Sequence, residues 1–507
     1  MEFCHRDNDL HSVAAQKLAE FIQKRRQKWE TQVDLSNVDN FENFEHELHN
    51  MVMAIERELV SEELGRYDVT AEEIEVDDKA YCRSISLPET YLTSAGRVTI
   101  ERHLYNPADP KDKSICPMEL RSGIIAGYFT PRAARQGAFG MAHLTPGESE
   151  EMFGEIGNMQ PSRSSLDRLT KALSPHWETH RIRWEGQLRR AETVPEAATV
   201  MAISVDGVMA PIRGANKPEK GDQPGKHASG PTGYKEVGCG TVSLYDPEAE
   251  RLQTIRYARM PESKKATLTQ QLETEVASIL ALNSTLLRVH LADGAKDNWR
   301  LMDEIESRLQ APTQPPIEIV DYYHACDHLK NGCDAAWGES TQESQDAFED
   351  LKTCLKESEE GVQCVISTLR LQCSLARGNK HKRLEAELTY FLNQQSRMHY
   401  SEYLRLKLPI ASGVMEAACK TLVTQRLKRS GMAWTHPGGQ AILTLRSLIQ
   451  SNRWKPAWSL LSADFRVIVK VPKRSKVLNI RHICWSSLSA TFHPARSVVY
   501  AALPLAI

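Results

Sequence analysis

Three acidic residues far apart in the sequence have the chemical type and the setting that metal-dependent chemistry requires. Asp206 and Asp293 each follow an apolar run typical of a buried strand, and each precedes a glycine. In an open sheet, ligands collect at the carboxyl ends of strands, so these two acids can converge there. Glu416 lies in the first turns of a predicted helix. Taken singly, an Asp-Gly pair is typical of a simple turn, and a first-turn acid complements the helix dipole.

Three converging carboxylates would repel one another unless divalent cations neutralised their charge. Carboxylate oxygens are hard ligands that favour Mg²⁺ or Mn²⁺. Two such ions, roughly 3.5–4 Å apart, can activate the attacking oxygen and stabilise the leaving oxygen of an in-line phosphoryl displacement. We therefore expect two Mg²⁺ or Mn²⁺ ions at Asp206, Asp293 and Glu416, and phosphodiester cleavage and transfer as the reaction.

A second motif, D-x-x-H-x-x-x-H, spans a predicted strand-to-helix junction at Asp321, His324 and His328. This spacing can place two or three of the side chains on one helical face, where zinc is conceivable. In the other interpretation, Asp321 caps the helix and His324 hydrogen-bonds to the active site or to the DNA backbone. We favour the second interpretation, and no fourth zinc ligand is evident nearby in the sequence.

Basic residues follow Glu416 and give candidate DNA contacts. Residues 417–507 contain fourteen Lys and Arg but a single acid, although the whole chain has a formal net charge of −3. This asymmetry is typical of a phosphate-binding surface or of a solvated face. Compensation of the helix dipole explains one or two of the cations near the helix end. The candidates on the Glu416 helix are Lys420, Arg426, Lys428 and Arg429.

A second candidate DNA contact lies after Leu144. The segment is predicted to form two short helices joined by a turn at 157–161, which is compatible with a helix-turn-helix. Ser162 is a good N-cap for the second helix. An ordinary helical hairpin is the alternative. The side chains that could reach phosphates or bases are Arg163, Arg168 and Lys171.

The order of elements between residues 195 and 338 indicates the fold that positions the acids. Apolar runs and turn residues predict three strands, followed by alternating helices and strands, in the order βββαβαβα. That order is the plan of a ribonuclease-H-like α/β fold, a mixed sheet flanked by helices. Residues 211–233 are predicted to form a long exposed loop because they are rich in Gly, Pro and Lys.

The remaining segments are divided by composition and periodicity. We expect an N-terminal helical module, a small β element with the helix-turn-helix-like region, an all-helical insertion within the catalytic domain, and a basic tail. The helix that carries Glu416 is predicted to begin at Ser412 and to end near Gly431. The expected ranges are 1–75, 76–190, 195–338 for the first part of the catalytic domain, 339–409 for the insertion, 410–463 for its completion, and 464–507 for the tail.

The composition is that of an ordinary globular protein. The chain has 507 residues, of which 41% are hydrophobic and 25% charged, so disordered and fibrous classes are excluded. It contains neither a long uncharged apolar stretch nor a signal-peptide pattern, and we expect a cytoplasmic protein. The eleven cysteines include no compact zinc spacing and are expected to be reduced thiols.

Three stretches of the sequence carry a resemblance to a known family. They are SVDGVMAPIRG, then LADGAKDNWRLMDEIESRL followed by VDYYHACDHL, and finally SGVMEAACKTLVTQRLKRSGMAWTHPGGQAILTLRSLIQSNRW. The chain resembles the DDE transposases of bacterial insertion sequences, in particular the Kra-type group related to Mutator-like elements. The similarity covers about residues 80–460.

This resemblance implies roles for individual residues. The catalytic acids of the family match Asp206, Asp293 and Glu416, and its Asp-x-x-His feature falls on Asp321 and His324. The helical insertion before the glutamate is also a family trait. Some related proteins have a cysteine-pair zinc ribbon in the N-terminal β region, but this segment keeps only Cys116, so no zinc ribbon is expected.

The resemblance also implies an activity and partners. The expected reaction is DNA transposition, in which strand cleavage by water is followed by attack of the 3′-hydroxyl on target DNA. The expected partners are inverted-repeat element ends, target DNA and further copies of the chain, with no membrane, and the DNA-bound protein would lie at the nucleoid. Two alternatives are a catalytically silent DNA-binding regulator and a ribonuclease-H-like nuclease that does not join strands.

Overall fold

The computed structural model describes most of the chain. The described residues are 7–31, 39–109, 111–213, 233–309 and 314–472. Most of the predicted loop at 211–233 lies outside these ranges. No helix within them is both long enough and apolar enough to cross a membrane.

The N-terminal part contains two helices and a small sheet. Helices α1 (Asp7–Thr31) and α2 (Asp39–Gly65) confirm the predicted helical start. Three antiparallel strands follow in the order β1 (Glu73–Val76), β2 (Lys79–Thr93) and β3 (Gly96–Pro107). The predicted β element is confirmed. It begins a few residues before the expected boundary at 75.

The beginning of the expected C-terminal tail packs against this small sheet. The Val467 N–H donates to the carbonyl of Leu120 at 2.9 Å, and Glu75 forms an antiparallel bridge with Lys470. Val467 and Val469 contact the apolar cluster around Tyr105. Residues 467–470 of the expected tail therefore pack with the folded N-terminal part, and residues 473–507 lie outside the described structure.

Four helices connect the two sheets: α3 (Pro117–Ser122), α4 (Pro131–His143), α5 (Pro146–Ile156) and α6 (Arg163–Ala191). The prediction of two short helices after Leu144 is correct for α5 and wrong for α6, which has 29 residues. Buried apolar residues recur along α6 beyond Pro175, and their packing outweighs the backbone hydrogen bond that a proline removes. Ser162 caps α6, as predicted, by accepting from the Ser165 N–H.

The larger sheet has five strands in the order β6-β5-β4-β7-β8. The first three are antiparallel, whereas β4, β7 and β8 are parallel. The predicted βββαβαβα order is confirmed, and the chain is an α/β protein with a mixed sheet. The elements are β4 (Val200–Pro211), β5 (Tyr234–Tyr245), β6 (Arg251–Arg259), α7 (Ala266–Leu282), β7 (Leu287–Ala292), α8 (Lys296–Arg308), β8 (Ile317–Val320) and α9 (Tyr322–Trp337).

The predicted insertion is helical throughout its described length. Buried residues such as Leu369, Leu384 and Phe391 join the same hydrophobic core as the strands and α7 to α9. The insertion packs mainly on α9, and it reaches the sheet at β8, where the Tyr400 hydroxyl donates to the carbonyl of Val320 at 2.9 Å. Its helices are α10 (Gln342–Glu357), α11 (Gly361–Leu375), α12 (Gly378–Gln394) and α13 (Tyr400–Arg405).

The segment that carries Glu416 differs from the single regular helix that the sequence predicts. It consists of α14 (Gly413–Ala418), a π-helical segment (Cys419–Thr424) and α15 (Gln425–Leu427). Ser412 holds the N-cap position but its side chain makes no cap hydrogen bond. π-Helical turns are rare and occur frequently at functional sites.

Two further helices complete the fold, α16 (His436–Gln450) and α17 (Trp454–Asp464). They form a second hydrophobic core with α4, α6, the Glu416 segment and apolar residues of the sheet. The first hydrophobic core joins residues of the sheet, α7 to α9 and the insertion. Sheet residues such as Val237, Ala258 and Met260 belong to the second core.

Candidate active site

The strand register brings Asp206 and Asp293 next to each other. In the parallel pair, Ser204 of β4 lies opposite Leu291 of β7, and each aspartate lies two residues further along its own chain. Asp293 follows the end of β7, as predicted. Asp206 lies within β4 and not at its end, because β4 continues to Pro211 along β5. The two acids lie next to each other because both follow the last paired residues of β4 and β7 by two positions.

The Asp206 carboxylate is half-buried, and its neighbours are a backbone N–H, a thiol and the carboxylate of Asp293. Its Oδ1 accepts from the Gly207 N–H at 2.6 Å, and the Cys419 thiol donates to its Oδ2 at 3.6 Å. Burial raises the pKa of Asp206, and the neighbouring charge of Asp293 raises it further, while the Gly207 N–H opposes the rise. The two acids are thus close enough for their charges to repel each other.

The Asp293 carboxylate is fixed by the residues that follow it. Its Oδ1 accepts from the Ala295 N–H at 3.0 Å and from Asn298 Nδ2 at 3.1 Å. Gly294 adopts φ +97°, a backbone conformation that favours glycine. The Asp-Gly pair therefore forms a tight turn that also orients the carboxylate, so the structural and functional interpretations of this motif are compatible.

Helix α12 of the insertion holds the same turn from outside. The Tyr390 hydroxyl donates to the carbonyl of Asp293 at 3.2 Å, and Gln394 Nε2 donates to the carbonyl of Gly294 at 2.9 Å. Sequence reasoning did not identify either residue. They lie about a hundred positions from the turn, and no local pattern relates a helix in an insertion to a distant strand end.

Asp321 caps α9, which confirms the capping interpretation. Its Oδ1 accepts from the His324 N–H at 2.7 Å, and its Oδ2 accepts from the Ser412 N–H. Both oxygens of this buried carboxylate are therefore engaged by backbone donors. Asp321 ties the start of α9 to the start of the Glu416 segment.

The two histidines of the motif lie on one face of α9, with ring centroids 5.2 Å apart. His328 Nδ1 is 2.6 Å from Glu387 Oε2, and its ring stacks on Tyr390 at 3.6 Å. These contacts give His328 a packing role between α9 and the insertion. Hydrogen bonding of the His324 side chain to DNA or to the reacting groups stays a prediction.

Glu416 has an exposed side chain on α14. Its segment contacts Asp206 through Cys419 and Asp321 through Ser412. Within the described ranges, no group of three or more His, Cys, Asp or Glu side chains is arranged to hold a metal ion. The structure thus pairs the two aspartates and places the Glu416 segment beside them, but it does not gather the three carboxylates into one cluster.

The donor chemistry of the aspartate pair fits the predicted cation. Two adjacent carboxylates supply hard oxygen donors of the kind that Mg²⁺ and Mn²⁺ prefer. The raised pKa of Asp206 reflects burial and repulsion from Asp293, and a divalent cation would relieve that repulsion. Asp206 and Asp293 are the described residues that would hold such an ion.

One of the four cations predicted on the Glu416 helix needs correction. Arg426 is 1% exposed, donates to the carbonyl of Met141 at 3.3 Å and lies 5.0 Å from the centroid of the Trp434 ring. Burial lowers its pKa to about 10. Because its guanidinium is enclosed by protein in this conformation, Arg426 is a core residue and not a phosphate contact.

The other three cations on this segment are accessible. Lys420 and Lys428 are exposed, and Arg429 is half-buried with its guanidinium paired to Glu148. The burial of Arg426 could not be predicted from the sequence, because it depends on packing against α4, which is distant in the sequence. Contact of these three residues with DNA stays a prediction.

The cations predicted on the second helix of the candidate helix-turn-helix are exposed on α6: Arg163, Arg168 and Lys171. Arg163 pairs with Glu150 at 2.7 Å, and Lys171 pairs with Asp167 at 2.5 Å. Such exposed pairs contribute little to stability and are readily exchanged for other partners. Their role as DNA contacts also stays a prediction.

Two buried cysteines adjoin the first aspartate and were missed by sequence reasoning. Cys239 lies directly opposite Asp206 across the β4–β5 pair, and the Cys419 thiol contacts the same carboxylate. Both thiols are buried and free. Isolated buried cysteines are common, so no pattern marks these two as neighbours of a site.

Comparison with protein-family models and with curated proteins finds no match for this chain. The resemblance to DDE transposases therefore rests on the sequence motifs.

Proposed function

We propose that the chain is a DDE transposase of a bacterial insertion sequence. The observation that carries the proposal is the pairing of Asp206 and Asp293 where the parallel strands β4 and β7 part, with the Glu416 segment packed against Asp206. These are the three acids that the family resemblance assigns to catalysis. Transposition requires phosphodiester cleavage and transfer, which suits carboxylates that hold divalent metal ions.

The sheet topology supports a ribonuclease-H-like catalytic domain. Three antiparallel strands are extended by two parallel strands, in the order β6-β5-β4-β7-β8. In this plan the first strand in the sequence is central, and the connections that follow it bring later strands to its side. Asp206 on the central strand and Asp293 on its parallel neighbour therefore adjoin without any special loop.

The proposed chemistry divides between the metal ions and the protein. Bound Mg²⁺ or Mn²⁺ would activate the attacking oxygen and stabilise the leaving oxygen. Asp206 and Asp293 would hold the ions, while the turn after Asp293 and the insertion helix α12 fix the orientation of the Asp293 carboxylate. Glu416 completes the site when DNA binds. The π-helical segment that follows α14 is irregular, and this irregularity would permit the helix that carries Glu416 to change position.

DNA recognition is assigned to two accessible basic surfaces. Lys420, Lys428 and Arg429 lie on the segment that begins with the Glu416 helix and hold the phosphate backbone beside the reacting strand. The exposed cations of α6 contact the inverted-repeat ends. Further copies of the chain bring two such ends together, so the active species is an oligomer on DNA.

The direct test uses purified protein and DNA that carries the terminal inverted repeats of its element. We expect Mg²⁺-dependent cleavage at the repeat end, followed by joining of the 3′-hydroxyl to target DNA. Asp206→Asn, Asp293→Asn and Glu416→Gln should retain DNA binding and reduce cleavage by at least about 1000-fold, since each removes a charged ligand. Asp303→Asn alters an exposed acid of α8 and is the matched control.

The same assay separates the alternatives. Cleavage without strand joining would indicate a nuclease, and binding without cleavage by the unaltered protein would indicate a regulator. Full cleavage by Asp293→Asn would contradict the metal-ligand assignment. The DNA around the gene gives an independent check, because transposition leaves short target duplications outside the inverted repeats.

A further inference from the structure

Lys265 lies at the N-terminus of α7 in an unfavourable backbone conformation. Lys264 and Lys265 have φ +54° and +52°, the left-handed region that residues with side chains rarely adopt. A positive charge at a helix N-terminus is also unfavourable for the helix. Neither feature stabilises α7, and strained residues of this kind cluster at functional sites.

The Lys265 side chain reaches toward the candidate active site. Its Nζ lies 2.7 Å from Glu236 Oε1 on β5 and donates to Asn298 Oδ1 on α8 at 3.2 Å. The Lys265 side chain is 20% exposed, so most of it is covered by protein. The ammonium group of Lys265 thereby links α7, β5 and α8.

Asn298 links Lys265 to Asp293 by hydrogen bonds to both residues. It is 4% exposed, and its Nδ2 donates to Asp293 Oδ1 at 3.1 Å. An ammonium group can only donate, so Lys265 requires the amide oxygen of Asn298 to face it. The amide nitrogen then faces Asp293, and the orientation of the amide is fixed by the lysine.

Glu236 extends the same network toward Asp206. Its carboxylate lies over Gly207, the residue after Asp206, and a Cβ added at this glycine would overlap the Glu236 side chain. The glycine of the VDG motif therefore provides room for Glu236 to reach Lys265. A simple turn does not explain this glycine, because Gly207 lies within β4.

We propose that Lys265 is a positioning residue of the metal site, which acts through Asn298 to hold the Asp293 carboxylate in its ligating orientation. This inference rests on the proposed function and adds a residue that neither the motifs nor the family resemblance identifies. Partners that orient metal ligands typically change metal affinity by about 10–100-fold when they are removed. Lys265 then affects the bound ion without touching it or the substrate.

The test measures Mn²⁺ binding to the full chain by electron paramagnetic resonance, with no DNA present. We expect Lys265→Met to weaken Mn²⁺ binding by about 10-fold or more, whereas Lys265→Arg, which still donates, should bind within about 3-fold of the unaltered protein. Lys264→Met is the matched control, because Lys264 has the same charge and the same backbone strain but an exposed side chain.

Asn298→Leu tests the amide itself without a change of charge. Leu has a similar volume but can neither accept from Lys265 nor donate to Asp293, so we expect it to bind Mn²⁺ as weakly as Lys265→Met. Thermal unfolding of each variant shows whether it is folded, and a folded Lys265→Met with weakened Mn²⁺ binding supports the proposal.

Two outcomes would overturn the inference, and they are distinguishable. If the unaltered protein binds Mn²⁺ at Asp206 and Asp293 while Lys265→Met and Lys264→Met bind it equally well, the role of Lys265 is wrong and the proposed function stands. If the unaltered protein binds no Mn²⁺ and cleaves no DNA, both fail.

Discussion

The thiol of Cys419 donates to Asp206 Oδ2 at 3.6 Å, which places the segment that carries Glu416 in direct contact with the central strand. Glu416 lies three positions earlier, about one helical turn away. The contact is formed by a segment of π-helical geometry. The third proposed ligand therefore lies about one turn before an irregular helical segment that contacts Asp206.

The cations after Glu416 should separate into a structural and a DNA-binding group. Arg426→Ala should lower the free energy of unfolding by about 2–4 kcal/mol, because it leaves a cavity at a fully buried position and leaves the Met141 carbonyl unpaired. Urea unfolding measures this loss. A variant as stable as the parent would show that Arg426 has no packing role.

The exposed pair Lys420 and Lys428 should behave in the opposite way. Replacing both with Ala should leave stability unchanged and flatten the slope of log K against log salt by about 2 units, the value for two lost phosphate contacts. DNA titrations at several salt concentrations measure the slope. An unchanged slope would assign these lysines to a solvated face.

The turn after Asp293 should not tolerate a side chain at Gly294. Gly294→Ala places a Cβ 3.1 Å from the Tyr390 ring at φ +97°, so we expect destabilisation of about 1–3 kcal/mol and strongly reduced cleavage. Gly431→Ala is the control, since Gly431 also has positive φ but nothing within 4 Å of the added atom. Equal cleavage by the two variants would contradict the importance of this contact.

The hydroxyl of Tyr390 should affect catalysis more than DNA binding. Tyr390→Phe keeps the stacking on His328 but loses the hydrogen bond to the Asp293 carbonyl. A typical hydrogen bond contributes about 0.5–1.5 kcal/mol, so we expect cleavage to fall by roughly 2–10-fold with unchanged DNA affinity. Tyr323→Phe, at an exposed tyrosine, is the control. Equal effects of both changes would exclude a specific role of Tyr390.

The buried ion pair between Arg453 at the start of α17 and Glu275 on α7 should stabilise the packing of these two helices. Arg453 and Glu275 are each 2% exposed, and their side chains lie 2.7 Å apart. Arg453→Met would leave the Glu275 carboxylate buried and less well paired, at a cost of about 3–5 kcal/mol. Urea unfolding compares it with Lys455→Met, an exposed neighbour on α17. A loss no larger than that of the control would contradict this account.

The element order could be predicted because apolar periodicity and turn residues are local signals. The same signals marked Asp206 and Asp293 as residues that follow buried strand segments. They could not show that β4 continues past Asp206, because this continuation depends on pairing with β5 across residues 214–232, which lie outside the described structure. The sequence therefore located the meeting point of the acids but misplaced the end of the strand.

The supporting residues of the site were beyond prediction for a different reason. Tyr390 and Gln394 donate to the Asp293 turn, and Lys265 donates to Asn298, which itself donates to Asp293; all these hydrogen bonds depend on how separate elements pack. The burial of Arg426 depends in the same way on α4, which lies almost 300 positions earlier. Hydrophobic periodicity and residue spacing describe one helix or strand at a time, so they do not predict side-chain contacts between separate elements.

The central claim is tested most directly by the position of Mn²⁺ in crystals of the unaltered protein bound to its inverted-repeat DNA. Anomalous scattering identifies the ion without reference to the protein. The account predicts Mn²⁺ at about 2.1 Å from carboxylate oxygens of Asp206 and Asp293, with Glu416 brought in to complete the site. Manganese bound elsewhere, or a Glu416 carboxylate that stays more than roughly 10 Å from Asp206 in the DNA complex, would contradict it.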